Sequence, residues 1–132
     1  MSRTLTVDDL LEHIEKAIRL IDRVTMDMTE SEFVSDEISQ TVVVKSIENM
    51  GEAARLLRDN HRSFIDAEPS IDWKGLTAMR NVLARRYFSI DYELVWNTVQ
   101  TDIRSIRIAL QDIRDPNDAA LQQAHRGSGR TR

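Results

Sequence analysis

Four basic side chains and no acidic one fall within residues 74–90: Lys74, Arg80, Arg85 and Arg86. The whole chain has the opposite balance, since 18 basic and 22 acidic residues give a net charge of −4. Cations clustered near a helix end are suited to holding phosphate. Because proteins that grip duplex DNA are usually basic overall, the acidic total argues against a broad duplex-DNA surface. It is compatible with a local cationic site on an acidic body, and equally with a small interaction module.

The elements that must position these residues are predicted to be helices. The 132 residues suit one domain with one core, and only four Gly and two Pro interrupt a composition rich in helix formers. Apolar residues recur at three- and four-residue steps in four long segments. We therefore predict an all-α, antiparallel helical bundle of four main helices (residues 7–28, 36–60, 73–87 and 92–114) plus a short one (62–67). Residues 1–114 should form this domain, and the polar residues 115–132 a disordered tail.

Several residues are predicted to fix the ends and contacts of the helices. Thr6, Asp72 and Asp91 each precede a helix and are suited to be N-caps, whereas residues 29–35 are predicted to be a loop. Gly51 falls in the middle of the second helix, where glycine costs up to about 1 kcal/mol relative to alanine. We therefore expect a neighbouring helix to approach closely there. The apolar stripes of the first and last helices are long, and we expect part of this apolar surface to remain unburied within one chain. This predicts a homodimer that buries it.

The sequence also argues against several classes of protein. Without cysteine, disulfides and thiolate metal sites are excluded, no other metal-ligand spacing is found, and we expect no cofactor. The first apolar residues are interrupted by Asp8, Asp9 and Glu12, which argues against a signal peptide. No apolar run approaches the roughly 18 residues that a membrane span needs. We expect a soluble, cytoplasmic protein with no membrane contact.

Beyond these patterns, a series of short motifs resembles a known family. They are Glu32–Phe33, Ile47–Glu48–Asn49–Met50–Gly51–Glu52–Ala53–Ala54, Ile71–Asp72–Trp73, the block from Met79 to Phe88, and Asp91 with Trp96. Their order and spacing are similar to those of the HEPN superfamily (higher eukaryotes and prokaryotes nucleotide-binding), and specifically of its HepT-like branch. The resemblance covers about residues 7–113.

This resemblance implies the toxin of a bacterial toxin–antitoxin pair, a dimeric and metal-independent endoribonuclease. The family motif is an Arg, four to six intervening residues, a His, one residue and a Tyr. Arg80 matches the Arg, Arg86 the residue before the Tyr, and Tyr87 the Tyr, but the His position is occupied by Arg85. The antitoxin partner implied by the family is a minimal nucleotidyltransferase that transfers AMP to the motif tyrosine. Tyr87 is therefore the expected AMPylation site.

Arg85 decides how much activity to expect. Metal-free RNA cleavage needs a base that takes a proton from the ribose 2′-hydroxyl, and imidazole, with a pKa near ~6.5, can serve at neutral pH. A guanidinium group keeps its proton and cannot, although it still binds phosphate. On a regular helix Tyr87 lies about 20° from Arg80, whereas position 85 lies about 140° away. Position 85 therefore joins Arg80 only if the helix loosens or a second subunit contributes it.

Other interpretations remain open at this stage. The chain could be a non-catalytic helical dimer that serves as an interaction module or decoy for the nucleotidyltransferase. Arg80 could be a surface ion-pairing residue, the Arg85–Arg86 pair could complement a helix dipole, and Tyr87 could be a core-edge aromatic. Two sets are expected to have structural or surface roles: the tryptophans Trp73 and Trp96 in packing, and the histidines His13, His61 and His125 outside catalysis, with His61 complementing a helix dipole.

Overall fold

The computed structural model describes residues 4–85 and 89–114, and within them every regular element is helical. The prediction of an all-α fold is confirmed. No helix in these ranges has the length and apolar character that crossing a membrane would require. The predicted tail at residues 115–132 lies outside the described residues. In chain order the elements are α1 (Val7–Thr25), α2 (Glu30–Ser35), α3 (Glu37–Asn60), α4 (Arg62–Ala67), α5 (Trp73–Arg85), α6 (Tyr92–Thr98), a π-helical turn (Val99–Ile103) and α7 (Arg104–Arg114).

Side-chain caps fix the starts of three helices where the sequence predicts them. The Thr6 hydroxyl accepts a hydrogen bond from the backbone N–H of Asp9 at 3.0 Å, and the Asp9 carboxylate accepts one from the Thr6 N–H at 2.9 Å. Ahead of α5, the Asp72 carboxylate accepts from the N–H of Gly75 at 2.9 Å. Asp91 caps α6 in the same way. These contacts satisfy N–H groups that a helix start otherwise leaves unpaired.

Two boundaries differ from the prediction because a capping box at Thr29 starts a short additional helix. Residues 29–35, predicted as a loop, include the helix α2. Its cap is Thr29, whose hydroxyl accepts from the Glu32 N–H at 3.2 Å while the Glu32 carboxylate accepts from the Thr29 N–H at 2.9 Å. The first helix, predicted to reach residue 28, ends at Thr25. A turn in which the Met28 N–H donates to the Thr25 carbonyl oxygen leads directly into the new cap.

The central helix is α3, which packs against α1 on one side and α5 on the other. Contacts between helix ends show the antiparallel arrangement. Directly after α3, the ring Nε2 of His61 lies 2.8 Å from the carbonyl oxygen of Leu5, just before α1, and therefore donates to it. This contact holds His61 at the end of α3, where its dipole-complementing role stays a prediction. Phe64 packs edge-on against Trp73, at the start of α5, with a centroid distance of 5.8 Å. The fully buried side chains between the helices include Leu10, Ile14, Ile21, Ile47, Met50, Leu57 and Leu76.

The predicted fourth helix is one run from residue 92 to residue 114, but a π-helical turn divides it. Phe33 of α2 is fully buried and packs against the rings of Tyr92 and Trp96, with centroid distances of 6.4 and 5.5 Å. At the far end, the guanidinium of Arg114 pairs with Asp8 and Glu15 and ties α7 back to α1. Both tryptophans therefore have packing roles, as predicted.

Candidate phosphate-binding site

Arg80 lies where α5 crosses α3, directly over Gly51. A Cβ atom on Gly51 would lie 2.3 Å from the Cβ of Arg80 and 2.8 Å from the carbonyl oxygen of Leu76. Neither atom can move without moving the backbone of α5, so only glycine permits this crossing. The predicted close approach at Gly51 is confirmed. The stem of Arg80 is consequently held by backbone packing before its guanidinium makes any polar contact.

The guanidinium of Arg80 is paired with Glu52, the neighbour of Gly51. Arg80 Nη2 lies 3.2 Å from Glu52 Oε2, and Arg80 Nη1 donates to Asn81 Oδ1 at 3.2 Å. A guanidinium carries five N–H donors, so these two contacts with described residues leave three for another acceptor. The side chain is 35% exposed, so part of it faces solvent. Arg80 is thus a positioned cation with spare hydrogen-bonding capacity.

Glu52 is the centre of a small ion cluster on α3. Arg55, three residues later, donates from Nε to Glu52 Oε1 at 3.0 Å and also pairs with it through Nη2. This hydrogen bond, together with the positive charges of Arg55 and Arg80, lowers the pKa of Glu52, although partial burial and nearby Asp59 oppose the shift. The carboxylate therefore stays ionised at neutral pH and bridges two arginines from different helices.

The other predicted site residues are not gathered around Arg80. Arg85 is the last residue of α5 and is exposed. Because α5 runs through both positions as one helix, Arg85 points about 140° away from Arg80. Within one chain, the described residues do not bring the two side chains together. Arg86 and Tyr87 lie outside the described residues. Lys74 is exposed at the opposite end of α5, about 9 Å along the helix from Arg80.

No histidine among the described residues forms a hydrogen bond or ion pair with Arg80 or Glu52. His61 is bonded to the backbone before α1, and His125 lies outside the described residues. His13 is exposed on α1 and lines a groove of about 310 Å³ between α1 and α3, with Lys16 and Glu52 among the other lining residues. In the part of the chain that the structure describes, no group of His, Asp and Glu is arranged to hold a metal ion. The arrangement can bind phosphate, but among the described residues no imidazole lies beside Arg80, and the neighbouring carboxylate of Glu52 is held in ion pairs with two arginines.

Glu52 and Arg55 are site residues that the sequence interpretation missed. Both lie on one face of α3, three residues apart, and Glu52 directly follows the glycine predicted to accept a close helix. A charged residue next to a helix-crossing glycine is well placed to meet a side chain from the crossing helix. The position of Glu52 beside Gly51 therefore indicates a charged partner on the crossing helix. It does not indicate which residue that partner is, because Arg80 lies 28 residues further along the chain.

Comparisons with known proteins agree with the HEPN-like interpretation. Residues 14–113 match the family described as Ribonuclease HepT-like. A Methanocaldococcus jannaschii protein named "Putative RNase" is 34% identical over 86% of this chain and 91% of its own length. A Thermococcus cleftensis protein named "Probable ribonuclease HepT" is 31% identical over 80% of this chain and 94% of its own length. A Caldanaerobacter subterraneus protein, also named "Putative RNase", is 30% identical over 78% and 89%. No solved structure is significantly similar to the chain.

Proposed function

The chain belongs to the HepT-like ribonuclease family, and we propose that its Arg80 site holds a phosphate of an RNA substrate. The observation that carries this proposal is the fixation of Arg80. Gly51 holds its stem, Glu52 holds one edge of its guanidinium, and three N–H donors are not used by any described residue. A guanidinium held in place needs little reorganisation to stabilise negative charge that develops on a phosphate. A mobile surface arginine would lack this advantage, because it must first be ordered around the phosphate.

The proposed reaction is metal-independent cleavage of the RNA backbone. The ribose 2′-oxygen attacks the adjacent phosphorus, its proton passes to a base, and the bond from phosphorus to the 5′-oxygen breaks as that oxygen gains a proton. Arg80 would stabilise the charge on the non-bridging oxygens during this step. In the family motif the base is a histidine at the position that Arg85 occupies here.

Arg85 would leave the chain able to bind RNA but impaired in cutting it. Its guanidinium keeps its proton, so the general-base contribution, about 10²- to 10⁴-fold in rate, would be lost. The helix geometry places Arg85 away from Arg80 of the same chain, so the two positions would meet between protomers of a homodimer. Exposed apolar side chains support an interface: Ile38, Val82, Leu94 and Ile108 are 76%, 49%, 58% and 54% exposed. The stripe of α1, by contrast, is largely buried within the chain.

Replacing Arg85 by histidine is the test of this proposal. Arg85→His should cleave single-stranded RNA in the presence of EDTA and slow the growth of cells that express it, because an imidazole can accept the 2′-hydroxyl proton. Arg85→Ala is the matched control, since it removes the guanidinium without adding a base, and it should stay inactive. An Arg85→His protein that folds as a dimer and binds RNA but cuts none would contradict the proposed role of this position.

We further propose the physiological setting that the family implies. The chain would be the toxin of a pair whose antitoxin, a minimal nucleotidyltransferase, transfers AMP to Tyr87. Incubation with the partner and ATP should add the mass of AMP to a peptide that contains Tyr87, and Tyr87→Phe should abolish the addition. Equal modification of the Tyr87→Phe protein would exclude this residue as the acceptor.

The presence of Arg85 also favours a second candidate, a non-catalytic dimer that binds the nucleotidyltransferase as an interaction module or decoy. This alternative predicts tight association with the partner and no gain of cleavage in Arg85→His. The two candidates therefore differ in one measurement, the RNA cleavage rate of that variant. A small nucleotidyltransferase gene beside this one would support a toxin–antitoxin origin under either candidate.

A further inference from the structure

Arg55 and Arg80 both form ion pairs with the carboxylate of Glu52, each with a different oxygen. Arg80 occupies Oε2 of the carboxylate at 3.2 Å, and Arg55 occupies Oε1 at 3.0 Å. Because both guanidinium groups contact the same carboxylate, the distance between them is limited to the sum of the two contact distances and the width of the carboxylate. Their side chains are similarly accessible, 35% exposed for Arg80 and 38% for Arg55. Two forked cations from two helices thus lie side by side at the α3–α5 surface.

Arg55 keeps donors that its acidic neighbours do not use. Its Nε and one N–H of Nη2 are directed to Glu52, and Nη1 lies 2.9 Å from Asp59. Of its five N–H groups, the described residues leave two for another acceptor. Asp59 is also shared with Arg58, whose Nε lies 3.6 Å from Oδ1, so its charge is divided between two cations. Arg55 and Arg80 thus balance the charges of Glu52 and Asp59, and what they offer a phosphate is the N–H donors that the described acids leave unused.

We propose that Arg55 is a second phosphate ligand for RNA, and that Glu52 is the positioning residue that sets Arg55 and Arg80 at a fixed separation. The inference rests on the proposed binding of RNA at Arg80. A single-stranded RNA presents phosphates at regular intervals, and one cation fixes a phosphate without fixing the direction of the strand. Two forks held on one carboxylate bind neighbouring phosphates and so orient the bond to be cut.

The test measures binding of a short, fluorescein-labelled single-stranded RNA by anisotropy, between about 50 and 200 mM salt. Arg55→Gln should weaken binding about tenfold, because a charge-assisted contact is lost. It should also reduce the slope of log affinity against log salt by about 0.7, the value for one phosphate contact on a single strand. Arg55→Lys should keep most of the slope but not the full affinity, because lysine lacks the fork.

Arg58 provides a matched control on the same helix. It has the same charge and is 37% exposed, but it does not contact Glu52. Arg58→Gln should change affinity by less than about twofold, because screening weakens exposed charges that make no direct contact. If Arg55→Gln and Arg58→Gln change RNA affinity equally while Arg80→Gln abolishes binding, Arg55 is not a phosphate ligand, and the proposed function of Arg80 still holds. If Arg80→Gln also binds RNA normally, the proposed function fails and this inference with it.

The role of Glu52 needs a separate measurement, because simple loss of binding could reflect poorer folding. Arg55→Gln and Arg80→Gln should be non-additive in the wild-type background, with a coupling of about three- to tenfold in affinity. In a Glu52→Gln background, whose fold is checked by circular dichroism, the coupling should fall below about twofold. A coupling that persists without the carboxylate would show that Glu52 does not set the two arginines.

Discussion

Gly51→Ala is the substitution that most directly tests how Arg80 is positioned. The added methyl group would lie 2.3 Å from the Cβ of Arg80 and 2.8 Å from the carbonyl oxygen of Leu76. Both are attached rigidly to the backbone of α5, so the helices must separate by about 1 Å or more. Overpacking of this kind costs about 1–3 kcal/mol, and a rigid backbone contact belongs at the upper end. The better helix propensity of alanine returns about 1 kcal/mol, so the net loss should be about 2 kcal/mol.

Urea denaturation followed by tryptophan fluorescence measures this loss. The midpoint should fall while the slope of free energy against urea stays constant, since the unfolded surface is unchanged. Ala78→Gly, at an exposed position of α5, provides the control for propensity alone and should cost about 1 kcal/mol. RNA affinity should also fall in Gly51→Ala, because Arg80 moves away from Glu52. If Gly51→Ala instead stabilises the protein by about 1 kcal/mol, the close crossing of α3 and α5 does not exist.

Two further predictions concern the ion cluster and the aromatic contact. Glu52→Gln should lower the free energy of unfolding by less than about 1 kcal/mol at pH 7, since the ion pairs are part-exposed. Because the folded pKa of Glu52 is lowered from 4.5, this loss should shrink as pH falls below that value. A loss that is independent of pH would contradict this prediction. Phe33→Ala should lose about 3–5 kcal/mol of unfolding free energy, because the ring is fully buried against Tyr92 and Trp96. Val34→Ala, next to it and 37% exposed, should cost under about 1 kcal/mol by the same denaturation measurement, and equal losses would argue against the aromatic contact.

Local patterns in the sequence were sufficient to predict the helices and most of their caps. Thr6 and Asp72 act within three residues of their own position, so their roles can be read without knowing the tertiary structure. Gly51 was informative for a related reason, since a glycine that weakens a helix usually has a packing purpose. The Thr29–Glu32 capping box acts over the same three-residue distance, but the helix that it starts has only six residues and is too short to show an apolar period.

The pairing of Arg80 with Glu52 could not be predicted in the same way. It depends on which faces of α3 and α5 meet, and apolar periodicity does not fix the rotation of one helix against another. The π-helical turn at residues 99–103 could not be predicted either, since the apolar spacing around it also fits an ordinary α-helix. Sequence reasoning therefore placed the arginine on its helix, whereas only the packed structure shows what holds it.

The most direct test of the account is the single-turnover rate of RNA cleavage by Arg85→His and by the unaltered chain, in EDTA and across pH 5–8. The account predicts a rate about 10²- to 10⁴-fold higher for Arg85→His at neutral pH, rising with pH through the titration of an imidazole near ~6.5. The unaltered chain should bind the same RNA and cut it slowly or not at all. Vigorous metal-free cleavage by the unaltered chain would contradict the account, because the proton acceptor would then be a residue other than the one at position 85.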